Sequence, residues 1–152
     1  MRVSARVDYA VRALVQLASD PSAEPVKAEH LATAQQIPLK FLLEILRQLK
    51  QHKLLLSRRG PEGGYMLAKP ASAIAIADVI RAVEGPLATV RDTSPASLEY
   101  VGSTEPLRTV WIAVRGNLRH VLEEVTLQDV LTGRLPRHVV AVAEKYGVDE
   151  RP

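Results

Sequence analysis

Cysteine is absent from all 152 residues of this chain. That excludes disulfides, thiolate metal sites and cysteine redox switches, since each needs the sulfur. No apolar run approaches the roughly 20 residues that cross a bilayer as a helix. The opening stretch MRVSARVDYAVRALVQLAS has the outline of a signal peptide, but Asp8 and Arg12 interrupt it and no apolar centre forms. The expectation is a cytoplasmic chain with no membrane partner. Nucleophile-elbow, Walker-loop, dinucleotide-fingerprint and zincin patterns are all missing, so no enzymatic activity and no cofactor are expected. There is no internal repeat and no low-complexity stretch.

What is present is the composition of one soluble globular chain, 47% hydrophobic and 24% charged. The net charge of +3 is unevenly spread. Residues 27–69 hold eight Lys/Arg against three acids, a local charge of +5. Residues 1–26 balance, and residues 70–152 sum to −2. An anionic partner for the middle segment follows from that asymmetry, with a merely solvated basic face as the plain alternative.

The apolar periods give an element order. Ser4 can cap a first helix in which Val7, Val11, Leu14, Val15 and Ala18 recur at helical spacing. Residues 27–35 form a short helix with Ala28, Leu31 and Ala32 inward. Pro38 opens a third helix running to about His52, with Phe41, Leu42, Ile45, Leu46 and Leu49 as its buried stripe. Then the period changes. LLLSRR and GYMLAK flank GPEG, a hairpin pattern with glycine at the turn. A helix with Ile76, Val79, Ile80 and Val83 inward ends at Gly85, and residues 86–104 show no clear period. Thr104 can cap the longest helix, whose Leu107, Trp111, Val114, Leu118, Val121 and Val125 are spaced 4, 3, 4, 3, 4. That is a heptad seam, the pattern of one helix lying along another. Thr126 to Asp129 is a capping-box variant, and a weak helix is expected from about Pro136 to Tyr146.

The fold class is therefore mainly α with a small β-hairpin: a winged helix-turn-helix domain plus a long C-terminal helix. In that arrangement the third helix enters a major groove and the hairpin lies on the backbone or the adjacent minor groove. The expected division is a DNA-binding unit over 1–85, a loop over 86–104, and the long helix, short helix and tail over 105–152.

Four segments carry a resemblance to a known family. DYAVRALVQLA, IPLKFLLEILRQLK, SRRGPEGGYMLAKP and VIRAVEGP, joined by TVWIAVRGNLRHVLEEVTLQDVL, resemble the Rrf-type regulators, the IscR/NsrR/CymR family, over roughly residues 1–133. The resemblance implies a homodimeric DNA-binding transcription regulator, usually a repressor, whose long helices cross between subunits. It also implies, for many members, an iron–sulfur cluster held by three cysteines in the loop before the long helix. Here an ungapped reading puts Thr93, Glu99 and Glu105 at about those places, while Asp8 matches a carboxylate ligand of some members. Clusters need soft sulfur donors, so the chain departs from the family at its sensor.

The expected DNA-contacting residues are Lys27, then Pro38, Leu39, Lys40, Phe41, Glu44 and Arg47 of the third helix, then Arg58, Arg59, Gly60, Gly63 and Gly64 of the wing. A recognition helix meets base edges with its N-terminal residues. Lys40 could reach phosphate or guanine, and Phe41 a thymine methyl or the core. Glu44 could accept from cytosine or pair with Lys40 at i,i+4. The wing arginines suit a phosphate backbone or a narrow minor groove, Arg59 above all. The expected partner is double-stranded DNA carrying a palindromic operator, and the expected dimer interface is the seam from Leu107 to Val125. His120 with Glu123 and Glu124 on one solvated helix is an incomplete ligand set, and no metal is expected. Two other functions stay open: a ligand-responsive regulator using the 86–104 loop, and a winged-helix module that binds protein instead of DNA.

Overall fold

A computed structural model describes residues 3–147. Helices α1 (Ala5–Ala18), α2 (Ala28–Gln35) and α3 (Leu39–Gln51) precede strands β1 (Leu55–Arg58) and β2 (Gly64–Leu67). Four helices follow: α4 (Ile76–Glu84), α5 (Pro106–Leu122), α6 (Leu127–Thr132) and α7 (Arg137–Tyr146). Ser4 caps α1 by accepting from the Val7 amide at 3.3 Å. Gln36, in the left-handed region at φ 52°, ends α2 and sets the turn into α3. Pro38 then fixes the entry to α3 without a side-chain cap.

The core gathers Ala10, Leu14 and Leu17 of α1, Leu31 of α2, Leu42, Ile45, Leu46 and Leu49 of α3, Leu55 of β1 and Val79 of α4. Leu127 of α6 is fully buried in the same cluster. The core of the winged unit is therefore not confined to residues 1–85. The chain returns from α5 and closes it from the far side, and Ile76 and Leu127 exchange backbone hydrogen bonds with Val125 and Ile74.

Three expectations are corrected. Phe41 is not part of the buried stripe of α3; it is 60% exposed. At about 100° per residue it stands a full step away from Leu42 and faces out. Thr104 does not cap α5. It ends a short 3₁₀ turn, its hydroxyl donates to the Val101 carbonyl at 2.8 Å, and Glu105 occupies the cap position. Val125 is not on the seam, because α5 stops at Leu122 and Val125 is buried in its own chain.

The hairpin is antiparallel, pairing Leu55 with Leu67 and Arg58 with Gly64. A further bridge joins β2 to the residues before α2: Val26 and Tyr65 exchange both backbone bonds at 2.8 Å. Gly64 makes that approach possible. Its φ is +152°, and a Cβ there would lie 2.5 Å from the Val26 carbonyl. Tyr65 packs against the core, which fixes the wing to the helices.

The start of α6 is a reciprocal cap. The Thr126 hydroxyl accepts from the Asp129 amide at 3.2 Å, and the Asp129 carboxylate accepts from the Thr126 amide at 2.8 Å. The Thr126 side chain, then its amide, hold the Asp129 carboxyl below its ordinary value. Thr126→Ala is expected to destabilise the fold by about 1 kcal/mol in a denaturant titration. Because the folded-state value is depressed, the carboxylate's contribution is complete above the ordinary carboxylate range and is lost as pH falls through the folded value. The variant should therefore lose less stability on acidification than the parent.

Candidate nucleic-acid interface

The core stripe of α3 fixes what its other side presents. With Leu42, Ile45, Leu46 and Leu49 buried, Lys40, Leu43, Glu44 and Arg47 lie opposite, all exposed. Pro38, Leu39 and Phe41 edge the same N-terminal turn and are also exposed. Pro38 supplies no side-chain cap, so the first-turn amides remain available to an anion. Arg6 of α1 donates to Gln48 at 2.6 Å and braces α3 from behind.

Glu44 does not pair with Lys40. Arg47 donates to both its oxygens, at 2.9 and 2.7 Å, and that bond, aided by the charge of Arg47, holds the Glu44 carboxyl below its ordinary value. Lys40 makes no hydrogen bond or ion pair among the described residues, which leaves its ammonium for an external acceptor. Arg47 is instead partly neutralised by its neighbour.

The wing presents Arg58 at the end of β1 and Arg59 in the turn, both exposed. Arg58 stands 4.0 Å from Glu24, a loose solvated pair of small worth. Arg59 has no protein partner among the described residues. The turn itself is Gly60 to Gly63, closed by the Gly63 amide on the Gly60 carbonyl at 2.9 Å. Gly60 takes φ +102°. Gly63 does not need a positive φ; a Cβ there would meet the Arg58 carbonyl oxygen at 2.3 Å. The glycines thus serve the tightness of the hairpin and its seat on Val26.

Lys27, exposed at the start of α2, lines one open cleft of about 520 Å³ with His30 and the wing turn at Pro61 to Gly63. Helix α2 and the wing tip therefore face a common space. Sequence reasoning missed Leu56, 53% exposed on β1. Strand alternation puts it on the same face as Arg58, and that period-two signal was available. Leu43, 44% exposed on α3, is a second apolar group on the outer face.

Helix α5 has no buried residue along its 17 positions. Leu107 is 39% exposed, and Trp111, Val114, Leu118 and Val121 are half-buried. Val110, Val114, Leu118, Val121 and Leu122 line an apolar groove along it. A second apolar cavity, about 310 Å³, lies between Leu118 and Leu122 of α5, Ile80 of α4 and the loop start at Pro86 to Ala88.

The 86–104 segment is tied to α5 by arginines. Arg108 donates to the Ala96 carbonyl at 2.7 Å, and Arg115 donates to the Ser94 hydroxyl. Within the segment, Pro95 and Leu98 are buried. Thr93, Glu99 and Glu105 are exposed, and Asp8 is paired with Arg12 on its own helix at 3.1 Å. These hard oxygen groups do not suit an iron–sulfur cluster, whose irons are held chiefly by thiolates.

The comparisons agree with this architecture. The family described as an iron-dependent transcriptional regulator, Rrf2, matches residues 3–133. A Mycobacterium tuberculosis protein named as an HTH-type transcriptional regulator, Rv1287, is 51% identical over 150 residues, covering 99% of this chain and 93% of that one. CymR of Bacillus subtilis is 29% identical over 131 residues, 86% of this chain and 89% of its own. The solved structure of that CymR, described as the global cysteine regulator, superposes with a TM-score of 0.73 at 28% identity, covering 87% of this chain and 97% of that one. An IscR structure from T. potens gives 0.71 at 28% identity, with 93% and 96% covered. Among the described residues no helix is long and apolar enough to cross a membrane. With a helix-turn-helix, a basic wing and a match along most of its length, the chain belongs to the Rrf2 family of DNA-binding transcriptional regulators and is not an enzyme.

Proposed function

We propose that the protein is a cytoplasmic homodimeric repressor that reads a palindromic operator in double-stranded DNA and works without a cysteine-ligated cluster. The observation that carries this reading is the pairing of an outward α3 face with a wing whose Arg59, like Lys40, has no protein partner among the described residues. Helix α3 enters the major groove from its N-terminal turn. Lys40 takes phosphate or guanine, and Phe41 and Leu43 offer apolar contact to thymine methyls. Arg58, Arg59 and Lys27 hold the backbone or the narrow groove beside it. Few groups on α3 can make bidentate base contacts, so phosphate contacts supply much of the affinity. In the dimer, the α5 seam of Leu107, Trp111, Val114, Leu118 and Val121 is covered by its symmetry mate, which accounts for an apolar stripe with no fully buried residue in its own chain. The division into a DNA-binding unit and a dimerising C-terminal part follows from the same reading.

The test is fluorescence anisotropy with duplex DNA from upstream of the protein's own gene, titrated at several salt concentrations. Tight binding that weakens steeply with salt is expected. Absence of any salt-sensitive binding would favour the protein-interaction module. With no thiol to oxidise and no thiolate to hold a cluster, nitric oxide and peroxide are expected to leave operator affinity unchanged. Release of DNA by nitric oxide, reversed on cluster reconstitution, would refute the cluster-free reading.

A second reading has its own support. The apolar cavity between α4, α5 and Pro86 to Ala88 is of small-ligand size and touches the loop that joins the two parts. A small apolar effector bound there would shift α5 against the winged unit.

A further inference from the structure

We propose that His120, Glu124 and His138 form a binding site for a borderline divalent transition cation, of which Zn²⁺ is the representative, at the junction of α5 and α7. Each residue offers one ligand atom, and all three atoms lie within 4.8 Å of one another. His120 Nδ1 is 2.9 Å from one Glu124 oxygen, and His138 Nε2 is 3.4 Å from the other. In a tetrahedral zinc site with bonds near 2.0–2.1 Å, neighbouring ligand atoms stand about 3.4 Å apart, so these separations already approach the required ones. The two imidazoles stack with centroids 4.3 Å apart and turn their nitrogens to the same carboxylate.

The site is not explained by ordinary pairing. His138 Nε2 is buried and has no hydrogen-bond partner, although it stands within ion-pair distance of Glu124. A buried, unpartnered imidazole nitrogen is costly unless something uses its lone pair. The adjacent Glu123 is engaged elsewhere: Arg81 and Arg119 both donate to it, and those bonds hold its carboxyl below its ordinary value. Glu124 has no arginine or lysine partner among the described residues; its only ion-pair neighbours are the two histidines. Two imidazoles and one carboxylate are the donor set of catalytic-type zinc sites, with a fourth position left for water or a further ligand.

In the sequence, His120 with Glu123 and Glu124 is an incomplete ligand set, and no metal is expected from it. The fold replaces Glu123 with His138, which comes from a separate helix 18 positions away. That placement also gives the site a structural consequence. Helix α7 has no buried residue, so little in its own chain fixes it. A cation shared by His138 in its first turn and His120 and Glu124 at the end of α5 would clamp α7 to the long helix. Its test reads metal binding alone and does not depend on DNA binding.

The experiment uses full-length protein without a histidine tag, stripped of metal and desalted. Zn²⁺ is titrated in competition with a chromophoric chelator, and Co²⁺ is added in a parallel sample to read its visible d–d absorption. About one ion per chain is expected, with a Co²⁺ band of low-coordinate N/O type. His138→Ala and Glu124→Gln should each weaken Zn²⁺ binding by more than the roughly tenfold that altering a ligand's hydrogen-bond partner costs. His52→Ala, on the exposed end of α3, should bind as the parent does. Glu124→Gln keeps the side-chain shape, and circular dichroism checks that both variants fold. No competition by the parent protein overturns the proposal, as does parent-like affinity in His138→Ala or an equal loss in His52→Ala.

Discussion

Leu118→Glu is expected to convert the proposed dimer to a monomer that keeps its fold and loses operator binding. Leu118 sits mid-seam on α5 and borders both the groove along that helix and the cavity toward α4. In the proposed dimer a two-fold axis would place the substitution in the interface twice. Each copy removes apolar contact and brings in a carboxylate that must be dehydrated without a partner, at several kcal/mol. Since about 1.4 kcal/mol is tenfold in affinity, dimer dissociation should strengthen a hundredfold or more. The winged unit should survive, because α5 has no fully buried residue and the core of Leu14, Leu31, Leu42, Leu46 and Leu127 does not include Leu118. Light scattering should report a mass near the 16.7 kDa of one chain, with the helical circular dichroism retained. Operator affinity should fall with it, since each half-site would be held by one subunit alone. An intact, folded dimer in this variant would remove the seam as the interface.

The elements that were legible in the sequence are those whose signal is local and periodic. Leu42, Ile45, Leu46 and Leu49 of α3 repeat at helical spacing and are buried, and Thr126 with Asp129 forms the reciprocal cap its spacing suggests. The failures have a common cause. A period says which face is apolar but not how wide the buried stripe is, so it places Phe41 inside although Phe41 stands one residue off the stripe. A heptad pattern does not say where a helix stops, so it extends the seam to Val125 although α5 ends at Leu122. The bridge between Val26 and Tyr65 is one residue pair long and has no period at all. The meeting of His120 and His138 depends on how α6 docks its Leu127 into the core, which turns the chain back and returns α7 to the end of α5. That is tertiary information. The wing was readable for another reason: its glycines and paired arginines are a chemical signature, and the structure leaves both arginines exposed.

Arg59→Ala should weaken operator binding on the order of tenfold to a hundredfold and flatten its salt dependence. Arg59 lies in the tight turn beside Gly60, with no carboxylate or carbonyl engaging it among the described residues. None of the described residues neutralises it, so its charge is available to displace counterions from a phosphate. One such contact per subunit makes two per dimer, and each contributes about 0.9 to the slope of log affinity against log salt. The slope should therefore fall by about 2. Arg58→Ala should cost slightly less, because Glu24 stands 4.0 Å from it and only weakly offsets its charge. Arg47→Ala should cost less still, because Glu44 holds that guanidinium with two hydrogen bonds that would have to break on binding. Lys40→Ala should fall between Arg59→Ala and Arg47→Ala. It removes a free ammonium, but one whose point charge fits a phosphate less specifically than a planar guanidinium does. The ranking separates DNA contact from simple loss of net charge, since all four variants remove the same single positive charge. Anisotropy titrations of the four variants at several salt concentrations measure it directly. Equal losses and equal slopes would mean that only the overall basicity of residues 27–69 matters. Parent-like binding by Arg59→Ala would take the wing off the DNA.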